Sequence, residues 1–117
     1  MPVSGRMVGC LKIIDGNIFQ KRGDTAEFDI NLTLDGRAPD RYEAVFSVKK
    51  NLSDRSYLFQ KKVENGHVRI RHGDTQALPY GKYYYDIQIR IDDGSEEGLY
   101  TTVGPYEYNL KPDVTTG

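Results

Sequence analysis

Residues 73–110 read GDTQALPYGKYYYDIQIRIDDGSEEGLYTTVGPYEYNL, and this stretch decides the fold. Apolar or aromatic side chains alternate in it with mostly polar ones, at the two-residue period of a β-strand. The first set is Tyr83, Tyr85, Ile87, Ile89 and Ile91, and the second is Lys82, Tyr84, Asp86, Gln88 and Arg90. A polar turn and a second apolar run follow, so the stretch predicts two antiparallel strands joined by a hairpin.

The entry into this strand has the spacing of a corner tyrosine. Asp74 and Leu78 lead through Pro79 and Gly81 to Tyr83. In such a corner the ring packs in the core, and the hydroxyl bonds to the backbone a few residues upstream. Tyrosine corners are typical of immunoglobulin-like domains, so this motif favours two stacked sheets.

The chain has 117 residues, which is the size of one domain, and we expect a single core spanning residues 1–117. Its one cysteine, Cys10, excludes an intramolecular disulfide and fits a reducing compartment. Because Cys10 lies in an apolar run, we expect it to be a small buried side chain.

Two further runs alternate as cleanly as the first. Their inward-facing sets are Ala26, Phe28, Ile30, Leu32 and Leu34, and then Tyr42, Ala44, Phe46 and Val48. Asp35-Gly36 ends the first of these runs with a turn. Both runs therefore predict half-buried strands.

The remaining runs are less regular. Residues 56–63 predict an edge strand, where Lys61 and Lys62 discourage pairing with another chain. Val68 and Ile70 predict a short strand. Gly104-Pro105 interrupts the last run, and because proline donates no backbone hydrogen bond we expect a bulge or a sheet edge there.

Seven or eight short strands without a helix cannot bury their apolar faces as one layer. We therefore predict an all-β fold of two antiparallel sheets, an immunoglobulin-like or fibronectin-like β-sandwich, with an open barrel as the alternative. The chain has no tryptophan and no cysteine pair, so an antibody-type domain is not expected.

The sequence also resembles the N-terminal β-sandwich domain of phage upper-baseplate and related tail proteins, over most of its length. The segments that carry the resemblance are 23–34, 44–49, Asp74-Thr75 with Leu78, 81–87 and 113–115. The resemblance implies a non-enzymatic structural module that docks onto the tail or baseplate, in a family whose members carry receptor-binding parts further along the chain. It implies a virion tail protein that assembles in the bacterial cytoplasm with other tail proteins or with copies of itself.

The distribution of charge along the sequence indicates which kinds of binding partner to expect. The net charge of −1 does not favour a nucleic-acid binder. Residues 37–72 contain nine Lys or Arg and four Asp or Glu, whereas residues 73–117 contain three and eight. This imbalance fits ordinary solvated strand faces, and the alternative is that oppositely charged surfaces bring copies or partners together head to tail.

The N-terminal residues lack the apolar core of a secretory signal, because Gly9 and Lys12 interrupt their one apolar run. No run approaches the roughly twenty apolar residues that cross a bilayer, so we expect a soluble protein with no membrane partner.

No catalytic motif is present, and we predict neither an enzyme nor a cofactor. His67, His72 and Asp74 are the residue types of a zinc site, but their spacing does not favour one. Residues 92–97 read DDGSEE, which lacks the ligand spacing of a calcium loop and predicts a polar hairpin turn with a glycine at a positive backbone angle.

Three sets of residues are interface candidates. They are the acidic tip (residues 92–97, with Asp92, Asp93, Glu96 and Glu97), the basic stripe (His67, Arg69 and Arg71), and the tyrosines Tyr84 and Tyr100. Because tyrosine offers sugars an apolar face and a hydroxyl, a carbohydrate-binding or adhesion module is the alternative function. Tyr57 would join Tyr84 and Tyr100 in that role, whereas the other strand tyrosines are expected in the core.

Overall fold

A computed structural model of the chain describes residues 12–30, 41–64, 66–92 and 94–112. These residues form eight strands and one short helix. In chain order they are β1 (Lys12–Ile14), β2 (Asn17–Lys21), β3 (Ala26–Asp29), β4 (Tyr42–Lys49), β5 (Phe59–Val63), β6 (His67–Ile70), α1 (His72–Thr75), β7 (Gly81–Ile91) and β8 (Leu99–Lys111). The predicted features at Cys10, Leu32, Leu34, Asp35-Gly36 and 113–115 lie outside the described residues.

The strands form two sheets, as predicted. The larger sheet has six strands in the order β1-β2-β8-β7-β4-β5, and the smaller pairs β3 with β6. Strand β7 occupies the middle of the larger sheet, where it pairs antiparallel with β4 on one side and with β8 on the other.

The core lies between the two sheets. Phe28 of the smaller sheet meets Phe46 of the larger sheet edge to face, with ring centroids 5.3 Å apart. Both rings are fully buried, and burying one such side chain contributes about 2 to 3 kcal/mol. The contact shows that the two sheets share one core.

The alternation predicted for the strand after Tyr83 is confirmed. Its apolar set is buried from Tyr83 to Ile91, while the intervening side chains are half-buried or exposed. Ala26, Phe28 and Ile30 are also buried, as predicted. The same pattern places Val68 and Ile70 in the core and His67 and Arg69 on the opposite face.

The corner tyrosine is confirmed as well. The Tyr83 hydroxyl donates a hydrogen bond to the Pro79 carbonyl oxygen at 2.7 Å, while the ring is 1% exposed. The bond ties the segment between α1 and β7 to the first buried position of β7.

The prediction that all strands pair antiparallel is wrong at one position. Strand β2 runs parallel to β8, with Ile18 opposite Tyr108 and Lys21 opposite Lys111. The tight turn at Asp15 and Gly16 folds β2 back on β1, and β2 then lies beside the last strand. Alternation reports which side chains face the core but not the direction of the neighbouring strand, so the pattern could not distinguish the two cases.

The expectation of no helix is also wrong, by one turn. Helix α1 spans four residues and begins where the Asp74 carboxylate accepts a hydrogen bond from the Arg71 amide at 2.7 Å. The Thr75 hydroxyl then accepts a bond from the Gly23 amide at 2.8 Å. A single turn is too short for helical periodicity to show in the sequence.

The bulge predicted at Gly104-Pro105 is confirmed. Tyr85 pairs with Tyr106 and Ile87 with Val103, so two residues of β8 oppose the single residue Asp86 of β7. Gly104 has a φ of +108°, and a Cβ there would lie 3.0 Å from the Tyr85 carbonyl oxygen. The alternative of a sheet edge does not apply, because β8 lies between β2 and β7.

Strand β5 is an edge strand of the larger sheet, as predicted. The next strand along the chain is β6, which pairs with β3 in the smaller sheet. The chain therefore passes from the larger sheet to the smaller one between β5 and β6. The basic side chains of Lys61, Lys62, Arg69 and Arg71 lie along these strands and just after them.

Tyr83→Phe is expected to lower the free energy of unfolding by about 1 kcal/mol, because the Pro79 carbonyl loses its hydrogen bond while the packing of the ring is kept. The melting temperature should fall by roughly 4 to 8 °C, measured by thermal unfolding. Tyr80→Phe is the matched control. The Tyr80 side chain is 49% exposed and its ring lies 4.2 Å from the Arg22 guanidinium, so its loss of a hydroxyl should change stability by less than about 0.5 kcal/mol. Equal effects of the two changes would contradict the corner role.

Candidate interface surfaces

The basic stripe is paired with acidic residues of the neighbouring strand. His67 Nδ1 donates to Asp29 Oδ1 at 2.8 Å, and His67 Nε2 lies 3.5 Å from Glu27 Oε1. Arg69 Nε lies 3.8 Å from the same Glu27 oxygen. The register explains these pairs, because Asp29 stands opposite His67 and Glu27 opposite Arg69 on one face of the β3–β6 sheet.

The sequence offered a signal for these partners. Glu27 and Asp29 are the outward-facing residues of an alternating strand. Basic residues directly opposite them on the neighbouring strand would stabilise the pair of strands. However, the pattern does not say which strand pairs with β3. The sequence therefore leaves the partner strand of β3 open, and the structure shows that it is β6.

The stripe forms one wall of a larger feature, which we term the basic cleft. It is an open depression of about 420 Å³ between β6 and the edge strand β5. Its lining residues are Glu27, Lys61, Lys62, Glu64, His67, Arg69 and Arg71. The structure thus brings all three stripe residues together with the two lysines that the edge-strand pattern assigned to protection against pairing.

The environment of His67 favours its charged form. The hydrogen bond to the Asp29 carboxylate raises the pKa of His67 above its usual value, partial desolvation opposes this, and Glu27 acts in the same direction as Asp29. The imidazole side chain is only partly buried, at 34% exposure. His67 therefore belongs to a surface ion-pair cluster.

The three residues considered for zinc are not brought together. His67 is bound to Asp29 and Glu27, whereas His72 Nδ1 bonds to the Gly23 carbonyl. The Asp74 carboxylate holds Lys61 Nζ at 2.7 Å. Within the described parts of the chain, no group of three or more His, Cys, Asp or Glu side chains is placed to hold a metal ion.

The acidic tip is a polar turn between β7 and β8. Gly94 has a φ of +89°, as the turn prediction required, and its amide bonds to Asp92 Oδ1 at 3.1 Å. The Glu97 carbonyl accepts a bond from Arg90 Nε at 3.0 Å, which braces the far side of the turn. Asp92, Glu96 and Glu97 are exposed, and Asp93 lies outside the described residues.

Tyr84 and Tyr100 lie in two different shallow depressions. Tyr84 is half-buried and lines a hollow of about 230 Å³ with Leu52, Pro105 and Tyr106. Tyr100 is 64% exposed and lines a hollow of about 170 Å³ with Val45 and Arg90. Tyr57, the third tyrosine considered, is half-buried with the Lys49 ammonium 5.9 Å from its ring centroid.

The tyrosines expected in the core lie there or pack against it. Tyr83, Tyr85 and Tyr108 are buried, while Tyr42 and Tyr106 are partly buried against the same cluster. Burial raises the pKa of the Tyr85 and Tyr108 hydroxyls. These hydroxyls act as donors, to the Gly16 carbonyl and to Gln20 Oε1 respectively.

Asp86 has an environment that sequence reasoning missed. Its Oδ1 atom is buried and has no hydrogen-bond partner among the described residues. Burial raises the pKa of the Asp86 carboxyl, and the nearby Lys49 ammonium opposes part of the shift. Asp86 lies opposite the Gly104-Pro105 bulge. Side-chain alternation alone predicts that Asp86 faces solvent. Its partial burial becomes evident only when the bulge on the opposite strand is known.

In the part of the chain that the structure describes, no helix is both long and apolar enough to cross a membrane.

The His67 cluster should make stability depend on pH. Because the pKa of His67 is higher in the folded state than in the unfolded state, its stabilising contribution is complete below about pH 6.5 and is lost as the pH rises through the folded-state pKa. Thermal unfolding at pH 5.5 and pH 8 should therefore show a larger cost of His67→Gln at the lower pH. Asp29→Asn should reduce this dependence, since it removes the main partner. A cost of His67→Gln that is equal at both pH values would contradict the role of the ion pairs.

Comparison of the chain with protein-family models, with curated proteins and with solved structures finds no match in any of the three.

Proposed function

We propose that the chain is a non-catalytic structural module of a phage tail or baseplate, where it assembles with other tail proteins or with copies of itself. Its resemblance to the upper-baseplate domain supports the phage setting. Of the two most telling segments of that resemblance, 113–115 lies outside the described residues and 81–87 forms the first part of the central strand β7. Residues 81–87 include three buried side chains of the core, the corner tyrosine among them. They therefore support the proposed fold more directly than they support the identity of a binding partner.

The finer fold that we propose is immunoglobulin-like. In such domains of the variable type, strands G, F, C and C′ are neighbours in one sheet, while B and E belong to the other. Strands β8, β7, β4 and β5 have the first arrangement, and β3 and β6 have the second. The corner tyrosine stands at the start of β7, which is the position of strand F in this assignment.

The observation that carries an assembly role is the distribution of charge on the surface. The basic cleft and the acidic tip present opposite charges on separate elements, β5 with β6 and the β7–β8 turn. Surfaces of this kind steer and select protein partners. Among the described residues Lys62 and Arg71 of the cleft form no ion pair, and the carboxylates of Asp92, Glu96 and Glu97 at the tip are exposed, so both surfaces have charges available to a partner protein.

An assembly module should form a defined oligomer in light scattering as its concentration rises, or it should co-fractionate with phage tail particles. Either result would support the proposal. A chain that remains monomeric and separates from tail particles in an infected-cell lysate would contradict it. Tyr80→Phe, which keeps both charged surfaces, serves as the control and should behave as the wild type.

Carbohydrate binding is the second candidate, and the exposure of Tyr100 favours it. A ring that is 64% exposed beside Val45 and Arg90 offers a sugar an apolar face next to a donor. This function predicts retardation on a glycan column that Tyr100→Ala abolishes and that Tyr80→Ala, at another exposed ring, leaves unchanged. Under the assembly proposal we expect no retardation of any of the three proteins.

A further inference from the structure

Two cations of the basic cleft have no acidic partner in the part of the chain that the structure describes. Lys62 and Arg71 form no ion pair with any residue that the structure describes, and Arg71 is exposed. Lys61 is held by Asp74 at 2.7 Å, and Arg69 lies at the limit of contact, 3.8 Å from Glu27. Among the lining residues that the structure describes, four Lys or Arg side chains thus stand beside two carboxylates, Glu27 and Glu64.

The shape of the cleft suits a polar occupant. It is open, and its volume of about 420 Å³ corresponds to roughly a dozen water molecules. Glu27 is already engaged by His67 and Arg69, so of the lining carboxylates that the structure describes only Glu64 remains beside Lys62 and Arg71, and two cations against one carboxylate leave an excess of positive charge. Carboxylates on a protruding segment of protein would match both the charge and the openness of the site.

The acidic tip is such a segment. Residues 92–97 contain four carboxylates and no Lys or Arg, and the three carboxylates that the structure describes are exposed. The turn is braced by its own bonds, from Arg90 to the Glu97 carbonyl and from Gly94 to Asp92. A braced turn loses little conformational freedom when it binds, which lowers the cost of docking.

Within one molecule the acidic tip is held at a different place. The Asp92 amide bonds to the Arg41 carbonyl at 3.1 Å, just before β4 begins, and Arg90 holds Glu97 from β7. The cleft lies beyond β5, which is two strands from β7 in the sheet. Because these bonds hold the tip at Arg41 and β7, an acidic segment that enters the cleft is expected to come from another molecule.

We infer that the acidic tip of one copy docks in the basic cleft of a second copy. This inference rests on the proposed assembly function and names the partner as the chain itself. The contact joins two different patches, so two copies can close it reciprocally or further copies can extend it. Lys62 and Arg71 supply the cations, and Glu96 and Glu97 supply the carboxylates.

The expected association is weak and sensitive to salt. Each exposed charge pair changes an affinity by roughly two- to fivefold, and salt near 1 M screens such pairs almost completely. The dissociation constant should therefore rise by about tenfold or more between low and high salt. A contact based on apolar burial would lack this dependence.

Charge reversal tests the contact directly. Sedimentation equilibrium of the whole chain would measure the association of a cleft variant, Lys62→Glu with Arg71→Glu, and of a tip variant, Glu96→Lys with Glu97→Lys. Each variant alone should self-associate about tenfold or more weakly than the wild type. The chain that carries all four changes should recover association, because the exchanged positions again carry opposite charges across the contact.

The matched control changes the same amount of charge elsewhere. Arg55 is exposed, and Lys82 lies on β7 with its ammonium 3.2 Å from Glu107. Arg55→Glu with Lys82→Glu should leave association at the wild-type level. Thermal unfolding of every variant verifies that it is folded.

The outcomes separate this inference from the assembly proposal. Oligomers that form but ignore both reversals would overturn the tip-to-cleft contact and leave the assembly proposal standing. A wild-type chain that is monomeric at every concentration and salt level would also overturn the contact, whereas co-fractionation with tail particles would still support assembly. Weakening by each reversal together with recovery in the fourfold variant would establish the contact.

Discussion

The pairing of β7 on both of its edges is the constraint on which the rest of the structure depends. Residues 84–91 of this strand pair with β4 on one side, and residues 81–91 pair with β8 on the other except at the bulge opposite Asp86, while the alternate side chains fill the core from Tyr83 to Ile91. A one-residue slip of this strand would turn every core side chain towards solvent, so the register is strongly fixed. The bond from the Tyr83 hydroxyl to Pro79 holds the start of the strand in that register.

The location of the charged surfaces follows from this arrangement. Because β7 places its apolar side chains between the sheets, its far end must leave the core as a polar turn, and that turn is the acidic tip. The smaller sheet carries the ion pairs of His67 and Arg69 on its outer face, and the edge strand β5 adds Lys61 and Lys62 beside it. The proposed contact between copies therefore uses two charged surfaces that the fold places on separate elements.

Some features were predictable from the sequence because their physical cause is local. The two-residue period of β7, the spacing that leads to Tyr83, the positive backbone angle of Gly94 and the interruption at Gly104-Pro105 each depend on neighbouring residues. The partners of the basic stripe were not predictable, since Glu27 and Asp29 are about forty residues away in the chain. The partial burial of Asp86 likewise needed the bulge on the opposite strand.

The sequence by itself determined that the chain is built mainly from strands, which side chains face inward in the regularly alternating strands, and where several of the turns lie, because side-chain alternation and turn chemistry act over a few residues. Only the tertiary structure decided that β2 runs parallel to β8, that β6 pairs with β3, and that Lys61 and Lys62 share a cleft with the basic stripe. The physical reason is that strand direction and the choice of neighbour depend on how all the apolar faces are buried at once. No single stretch of the chain contains that information.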